Sequence, residues 1–277
     1  MAASTTSTLD DLFVNIVAQA RFTAEEQSLL RNLVTVYNID AQPGVTIQVP
    51  KYPAVTAADL TEGTDMSSTT VATSSVSVTV AEIGAQVFLT DMAAMGAGNP
   101  ADELGTVLGN AIATKMDKDV IALFDGFSTS LGATTTELTA AYLFQAAATL
   151  RANKAPGRLV GVFHPYQVYA LKANLTNTFA NPNGGDIQNE AMRSGYVGTL
   201  AGIDIYESAN LTVDGSGDTK GAVFAPEALM IAMKRDFNME PERDASNRGF
   251  ELNATAIYGV AELDDAYGVE MYFDAGL

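Results

Sequence analysis

The chain has 277 residues, with Lys plus Arg at 15 against Asp plus Glu at 33, so its net charge is −18. That balance argues against a subunit that grips nucleic acid or anionic lipid through a basic surface. The absence of Cys and the single His, His164, exclude disulfides, thiolate chemistry and any multi-His metal centre within one chain. No metal or cofactor site is predicted. Hydrophobic residues at 47% with only 17% charged describe a folded chain whose surface is partly covered by something else, with other copies of itself as the simplest cover. No run approaches the roughly 18 apolar residues of a membrane span. Met1 to Asp11 lacks the basic and apolar segments of a secretory signal.

Residues 9–37 read as two short helices. Leu9, Leu12, Phe13, Ile16 and Val17 recur at helical spacing, and Thr23 with Glu26 forms a capping-box pattern ahead of Leu29, Leu30, Leu33 and Val34. After Pro43-Gly44 the period becomes two: Val45, Ile47 and Val49, then, beyond a polar stretch centred on Glu62-Gly63, Val76, Val78 and Val80, continuing through Ile83, Ala85, Val87 and Leu89. This predicts a long two-stranded excursion with a polar tip. A loop with too few apolar residues for its own core needs a neighbour to lie on.

Asn99-Pro100 opens the strongest predicted helix, with Asp102 and Glu103 at the positive end of its dipole. Leu104, Leu108, Ala111, Ile112, Met116, Val120, Leu123 and Phe124 form its apolar stripe, and Gly126 is the expected stop. At about 1.5 Å per residue this helix spans roughly 37 Å. A further helix is predicted over 136–152 and a buried strand over 159–163. His164-Pro165 then opens a helix bearing Tyr166, Val168, Tyr169 and Leu171, followed by an Asn- and Gly-rich loop over 177–189. Strands are expected at 203–207, 222–224 and 229–233. Phe250, Leu252, Ala254, Ala256, Tyr258 and Val260 alternate, and after Asp264-Asp265 so do Val269, Met271 and Phe273. These are predicted to form a terminal hairpin.

Motifs that could carry chemistry do not assemble. His164 lacks a GxSxG elbow and sits at a strand-to-helix step, where a capping role is expected. Asp214-Gly215-Ser216-Gly217-Asp218 opens like a calcium loop, but Thr219 and Ala225 stand where Gly and Glu would be required, leaving a tight polar turn. Asp264 and Asp265, adjacent on a turn, are expected to point apart rather than act as an acid–base pair. Lys234, Arg235, Arg243 and Arg248, interleaved with Asp236, Glu240, Glu242 and Asp244, read as an ion-pairing surface.

The order of elements resembles the major capsid protein of tailed bacteriophages, the Hong Kong ninety-seven type of fold. Val49-Pro50 through Glu62-Gly63 resembles the ascending strand and tip of that family's extended loop. Val78 to Ala85 with Thr90-Asp91 resembles the descending strand. Asp102 to Phe124, including Ile112-Ala113 and Asp117 to Asp119, is similar to the spine helix. Phe163-His164-Pro165, Gly195 to Ile203 with Ile205 and Glu207, and Tyr258 to Glu262 complete the pattern.

The resemblance implies an α+β fold: an N-terminal arm over 1–44, the extended loop over 45–90, a periphery domain with the spine helix over 91–158, an axial domain over 159–235, and a return to the periphery domain with the terminal β-hairpin over 236–277. It implies a structural protein without catalytic residues, forming hexamers and pentamers of an icosahedral shell around double-stranded DNA, in the virion after assembly in the host bacterial cytoplasm. Subunit contacts are expected at Tyr52, Leu60, Glu62 and Asp65. The implied partners are further copies of the chain, a portal, a separate scaffolding protein and cement proteins, with no membrane. Because only about 40 residues precede the first strand, scaffolding is expected to come from a separate protein or to be dispensable. Some family members weld the shell by a Lys–Asn bond. Here no Lys lies between Tyr52 and Thr90, and Asp59, Glu62 and Asp65 at the tip disfavour a neutral amine. An uncrosslinked shell is therefore expected, with Lys51 at the loop's base. The alternatives are an encapsulin-like compartment of the same fold, a secreted β-rich adhesin and a His164-dependent hydrolase.

Overall fold

The computed structural model describes residues 29–40, 43–57, 59–63, 65–66, 68, 70–91, 100–178 and 198–275. The helices predicted over 9–28, the Asn99 cap and most of the Asn-rich loop lie outside the described residues. Twelve strands form three sheets among those described.

The first is four-stranded, in the order β1-β10-β11-β4, built from Thr35–Asn38 (β1), Leu229–Asp244 (β10), Gly249–Glu262 (β11) and Ala81–Thr90 (β4). The second has the order β5-β12-β9-β6-β8-β7, from Ser130–Gly132 (β5), Gly268–Asp274 (β12), Asp218–Phe224 (β9), Leu159–Phe163 (β6), Ile203–Glu207 (β8) and Thr199–Leu200 (β7). The third pairs Thr46–Lys51 (β2) with Ser74–Thr79 (β3). Among the described residues, α-helices run over Pro100–Ile121 (α1), Ala140–Ala152 (α2) and Pro165–Thr178 (α3).

The six-stranded sheet is covered on both faces, which is why β6 reads as an unbroken apolar run. Successive side chains point to opposite faces. Val160 and Val162 join the core beneath α1, while Leu159 and Phe163 join the core with Leu143, Leu150, Val168 and Leu171 of α2 and α3. On α1 the buried stripe is Leu108, Ile112, Met116 and Val120, as predicted. Ala111, expected in the stripe, is exposed; it lies about 100° around the helix from Ile112, on the rim of a groove beside Ile83 and Ala85 of β4.

Four other expectations are corrected. Residues 29–38 are not helical throughout: Leu30–Asn32 is a single 3-10 turn, and β1 follows it. β1 pairs in parallel with Met230–Met233 of β10, so the chain is drawn into the sheet directly after Leu33 and Val34 and the helical run stops at one turn. The second helix begins at Ala140 rather than 136, because the Thr136 carbonyl accepts the Asp274 N–H at 2.9 Å and draws the threonine run onto the sheet edge.

Ala81–Thr90 belongs to the body rather than to the two-stranded excursion, since β4 pairs with β11 over ten residues. The terminal hairpin does not form. β11 lies between β10 and β4, and β12 lies between β5 and β9. The Ala228 carbonyl accepts the N–H groups of Leu263 and Asp264 at 2.7 and 3.1 Å, so the β9–β10 and β11–β12 connections cross between the two sheets together. The true long hairpin is β10–β11. Two bulges, between Met233 and Arg235 and between Arg235 and Asn238, each add one residue to β10. Their parity effects cancel, so Met233 and Met239 both face the core.

Candidate assembly interface

The β2–β3 hairpin has two parts with different physics. Its base is docked on the outer face of the four-stranded sheet. Six antiparallel pairs run from Thr46↔Thr79 to Lys51↔Ser74. Val78 and Val80 are buried with Ile39, Met230 and Ala232, and Ile47, Val49, Ile257, Ala261 and Leu263 pack around them. Gly259 makes this approach possible: a Cβ there would meet the Thr79 carbonyl oxygen at 2.6 Å. At the outer end of the base, Lys51 Nζ lies 2.6 Å from Asp264 Oδ2. At the inner end, the Lys234 ammonium donates to the Gly44 carbonyl.

Beyond Lys51 the 22 residues 52–73 contain no described strand or helix, and every described residue from Pro50 to Ser75 is exposed. Tyr52 is 71%, Leu60 65% and Met66 73% exposed, with Val55 and Val71 exposed beside them. The segment carries Asp59, Glu62 and Asp65 and no cation. Eleven residues out and eleven back, at about 3.3 Å each, allow a reach of up to roughly 36 Å. The four contact residues predicted all lie on this segment and all are exposed. Val55, Met66 and Val71, also exposed on this segment, were not among those predicted; large apolar residues in an otherwise polar loop are the signal for them.

The remaining candidates are structural. His164 Nδ1 accepts the Tyr166 N–H at 3.3 Å, capping α3, and burial pushes the imidazole pKa down. Asp214 accepts the N–H groups of Ser216 and Ser-Gly-Asp neighbour Asp218 at 2.8 and 3.0 Å, the predicted polar turn. Asp264 pairs with Lys51 while Asp265 accepts the Ser128 N–H at 2.7 Å, so the two carboxylates do point apart.

The basic residues of β10 pair mostly off their own strand. Arg235 meets Glu82, and Arg243 holds Asp91 through two bonds of 2.6 and 2.8 Å; that guanidinium holds the Asp91 carboxyl below its ordinary pKa. Asp236 is bound by Arg31. One polar group on the spine helix was not anticipated. Asp117 is 1% exposed and accepts the N–H groups of Leu29 and Leu30 at 3.4 and 3.3 Å, gripping the start of the 3-10 turn. In the sequence it stands beside Met116 in a charged stretch with Lys118 and Asp119, and nothing local marks it as the buried one.

This arrangement has close counterparts. The capsid protein of cyanophage P-SCSP1u superposes with a TM-score of 0.72 at 20% identity, covering 89% of this chain and 88% of that one. The head protein of Helicobacter pylori bacteriophage KHP40 gives 0.72 at 11% identity, over 90% and 92%. The virus-like particle protein of Pyrococcus furiosus gives 0.62 at 11% identity, over 92% and 97%. At these identities the likeness establishes the fold, which is the Hong Kong ninety-seven type. No curated protein sequence matches. The sequence profile of the phage capsid protein family matches residues 72–270, from the descending limb of the hairpin to β12. The chain therefore belongs to the phage capsid protein family, and its role is that of a major capsid protein, a structural subunit that forms a shell.

Proposed function

We propose that the chain tiles an icosahedral shell as hexamers and pentamers around double-stranded DNA, with residues 52–73 of each copy lying across an adjacent copy. The observation that carries this is the tip: five large apolar residues exposed on one segment without a described strand or helix. Exposed apolar surface on a segment too small for a core is characteristic of an interaction site. Tyr52 and Leu60 are assigned to burial against the neighbour, and Glu62 and Asp65 to polar contacts at the rim. The groove between β4 and α1, lined by Ile83, Ala85, Ala111 and Ile112, offers an apolar floor that suits such a tip, with Lys115, paired to Asp119 on its own helix, at the edge.

The net charge of −18 suits a wall that leaves a packaged phosphate backbone mobile, without sequence-specific binding. Assembly takes place in the host bacterial cytoplasm, with a portal and a separate scaffolding protein, and cement proteins as optional reinforcement. The chain performs no catalysis. Electron microscopy of the purified protein tests the reading: closed particles, tubes or capsomer rings support it, and a monodisperse monomer at high concentration contradicts it.

A further inference from the structure

The four-stranded sheet is one strand too narrow for the helix beneath it. β4 is an outer strand of that sheet, and its ten residues pair with β11 in one unbroken register. Among the described residues, no segment pairs with its other side. Burial falls across this edge. Leu252, Ala254 and Ala256 of β11 are at most 1% exposed, yet their partners Val87, Ala85 and Ile83 on β4 are only half-buried. Past that edge α1 presents Leu104 half-buried, Ala111 exposed and Val107 56% exposed. These three side chains lie within about 60° of one another around the helix and form an apolar strip.

The edge itself is open. Natural sheet edges are usually kept short, bulged, or guarded by Lys or Pro. β1, at the opposite edge, has four residues. β4 has no bulge, Lys or Pro, and its one charge, Glu82, is held by Arg235. The Asp91 N–H donates to the Arg248 carbonyl, so the odd-numbered residues of β4 bond to β11. Glu82, Gly84, Gln86 and Phe88 therefore turn their N–H and C=O groups outward.

We infer that this edge takes residues Tyr52–Ala57 of an adjacent copy as an added antiparallel strand, with Pro53, Val55 and Ala57 covering the strip on α1. The inference deepens the reading that the tip lies across a neighbour, and rests on it. The segment suits the place. It is uncharged, exposed and part of no strand in its own subunit. At roughly 3.3 Å per residue it covers about 20 Å of edge. Facing side chains share a face, so with Val55 toward the helix it is Tyr52, Ala54 and Thr56 that bond to β4. The N–H that Pro53 lacks then falls on the far side, where a proline is tolerated.

Charge sets the direction. The Tyr258 hydroxyl donates to Asp119, and Tyr258 faces Ala81 in the sheet, so α1 runs opposite to β4. A strand antiparallel to β4 leads from Tyr52 toward the Lys118 end of the helix. Asp59 and Glu62, which follow it, then approach Lys118, an exposed cation with no ion pair among the described residues. A register that seats Val55 beside Ala85 also sets Tyr52 beside the exposed ring of Phe88.

The test is assembly of the full chain as wild type, Gln86→Pro, Gln86→Ala, Ala111→Glu and Val55→Glu, with thermal melting of each subunit. Gln86→Pro removes one outward N–H and leaves the bonds to β11. Gln86→Ala is its control: it loses the same side-chain bond to Glu251 and keeps the N–H. Wild type and Gln86→Ala should close into shells by electron microscopy. Gln86→Pro, Ala111→Glu and Val55→Glu should fold and form none. Any of these three that folds and gives shells at wild-type yield and diameter overturns the inference; if Gln86→Pro does not fold, the other two decide it. Loss of shells in Gln86→Ala as well would overturn the main-chain pairing. A wild type that forms no particle would overturn the assembly reading beneath it.

Discussion

The spine helix and the hairpin tip are both long, and they differ in what surrounds them. On α1, Leu108, Ile112, Met116 and Val120 are buried in the central core. On residues 52–73, Tyr52, Leu60 and Met66 are largely exposed. The helix spends its apolar residues on folding the subunit, and the tip keeps its own for another molecule. Mutations in the two regions should therefore separate stability from assembly.

The largest effect comes from removing the tip. Deleting residues 58–72 should abolish closed shells while the subunit still folds. Shortening a 22-residue loop by 15 residues also lowers its closure entropy, so the variant should be as stable as the wild type or more stable by about 1 kcal/mol. Size-exclusion chromatography with thermal melting checks both halves; normal particles would break the comparison.

The converse experiment is in the helix. Leu108→Ala or Ile112→Ala should cost about 2–5 kcal/mol, with lower particle yield following from lower stability. Unchanged melting in both would refute the placement of this stripe. Asp117→Asn weakens the charge-assisted grip on the Leu29 and Leu30 N–H groups and should cost about 1–3 kcal/mol in denaturant unfolding.

How much of this was legible depended on range. Local patterns were largely faithful: the alternation of Val76 and Val78, the central stripe Leu108, Ile112, Met116 and Val120 on α1, and the unbroken apolar run of β6 each became the element they predicted, while Ala111 turned out exposed and the helix ended at Ile121 rather than Gly126. Partnering was not legible. Alternation in 250–260 and 269–273 says that two strands exist, but the backbone hydrogen bonds that send them to different sheets involve Ala228, some 35 residues earlier in the chain. The same is true of Lys51 with Asp264 and of Arg243 with Asp91, pairs made by topology across more than 150 residues. The tip was legible by default, as the stretch with nothing to bury it.

Two smaller effects sharpen the picture. Lys51 is engaged with Asp264 on its own subunit, and the tip has no lysine, so denaturing electrophoresis of assembled particles should show one band near 29.1 kDa. A boiling-resistant ladder would contradict it. Burial, then the adjacent Asp265 and Asp264, push the Glu262 carboxyl above its ordinary pKa. A folded-state pKa above the unfolded one adds stability while the group is protonated, and this is lost as pH rises through the raised value. Glu262→Gln should flatten the melting-versus-pH curve just above the usual carboxylate range. After solvent screening the difference should be within about 0.5 kcal/mol. An unaltered curve would show that this carboxyl does not couple to folding.

The most direct measurement is a cryo-electron microscopy map of the assembled particle at a resolution that traces residues 52–73. The account predicts density for Tyr52, Leu60, Glu62 and Asp65 against an adjacent copy, with the side chains of Tyr52 and Leu60 buried there. A tip folded back on its own subunit, or projecting into solvent while the shell closes through other surfaces, would contradict it.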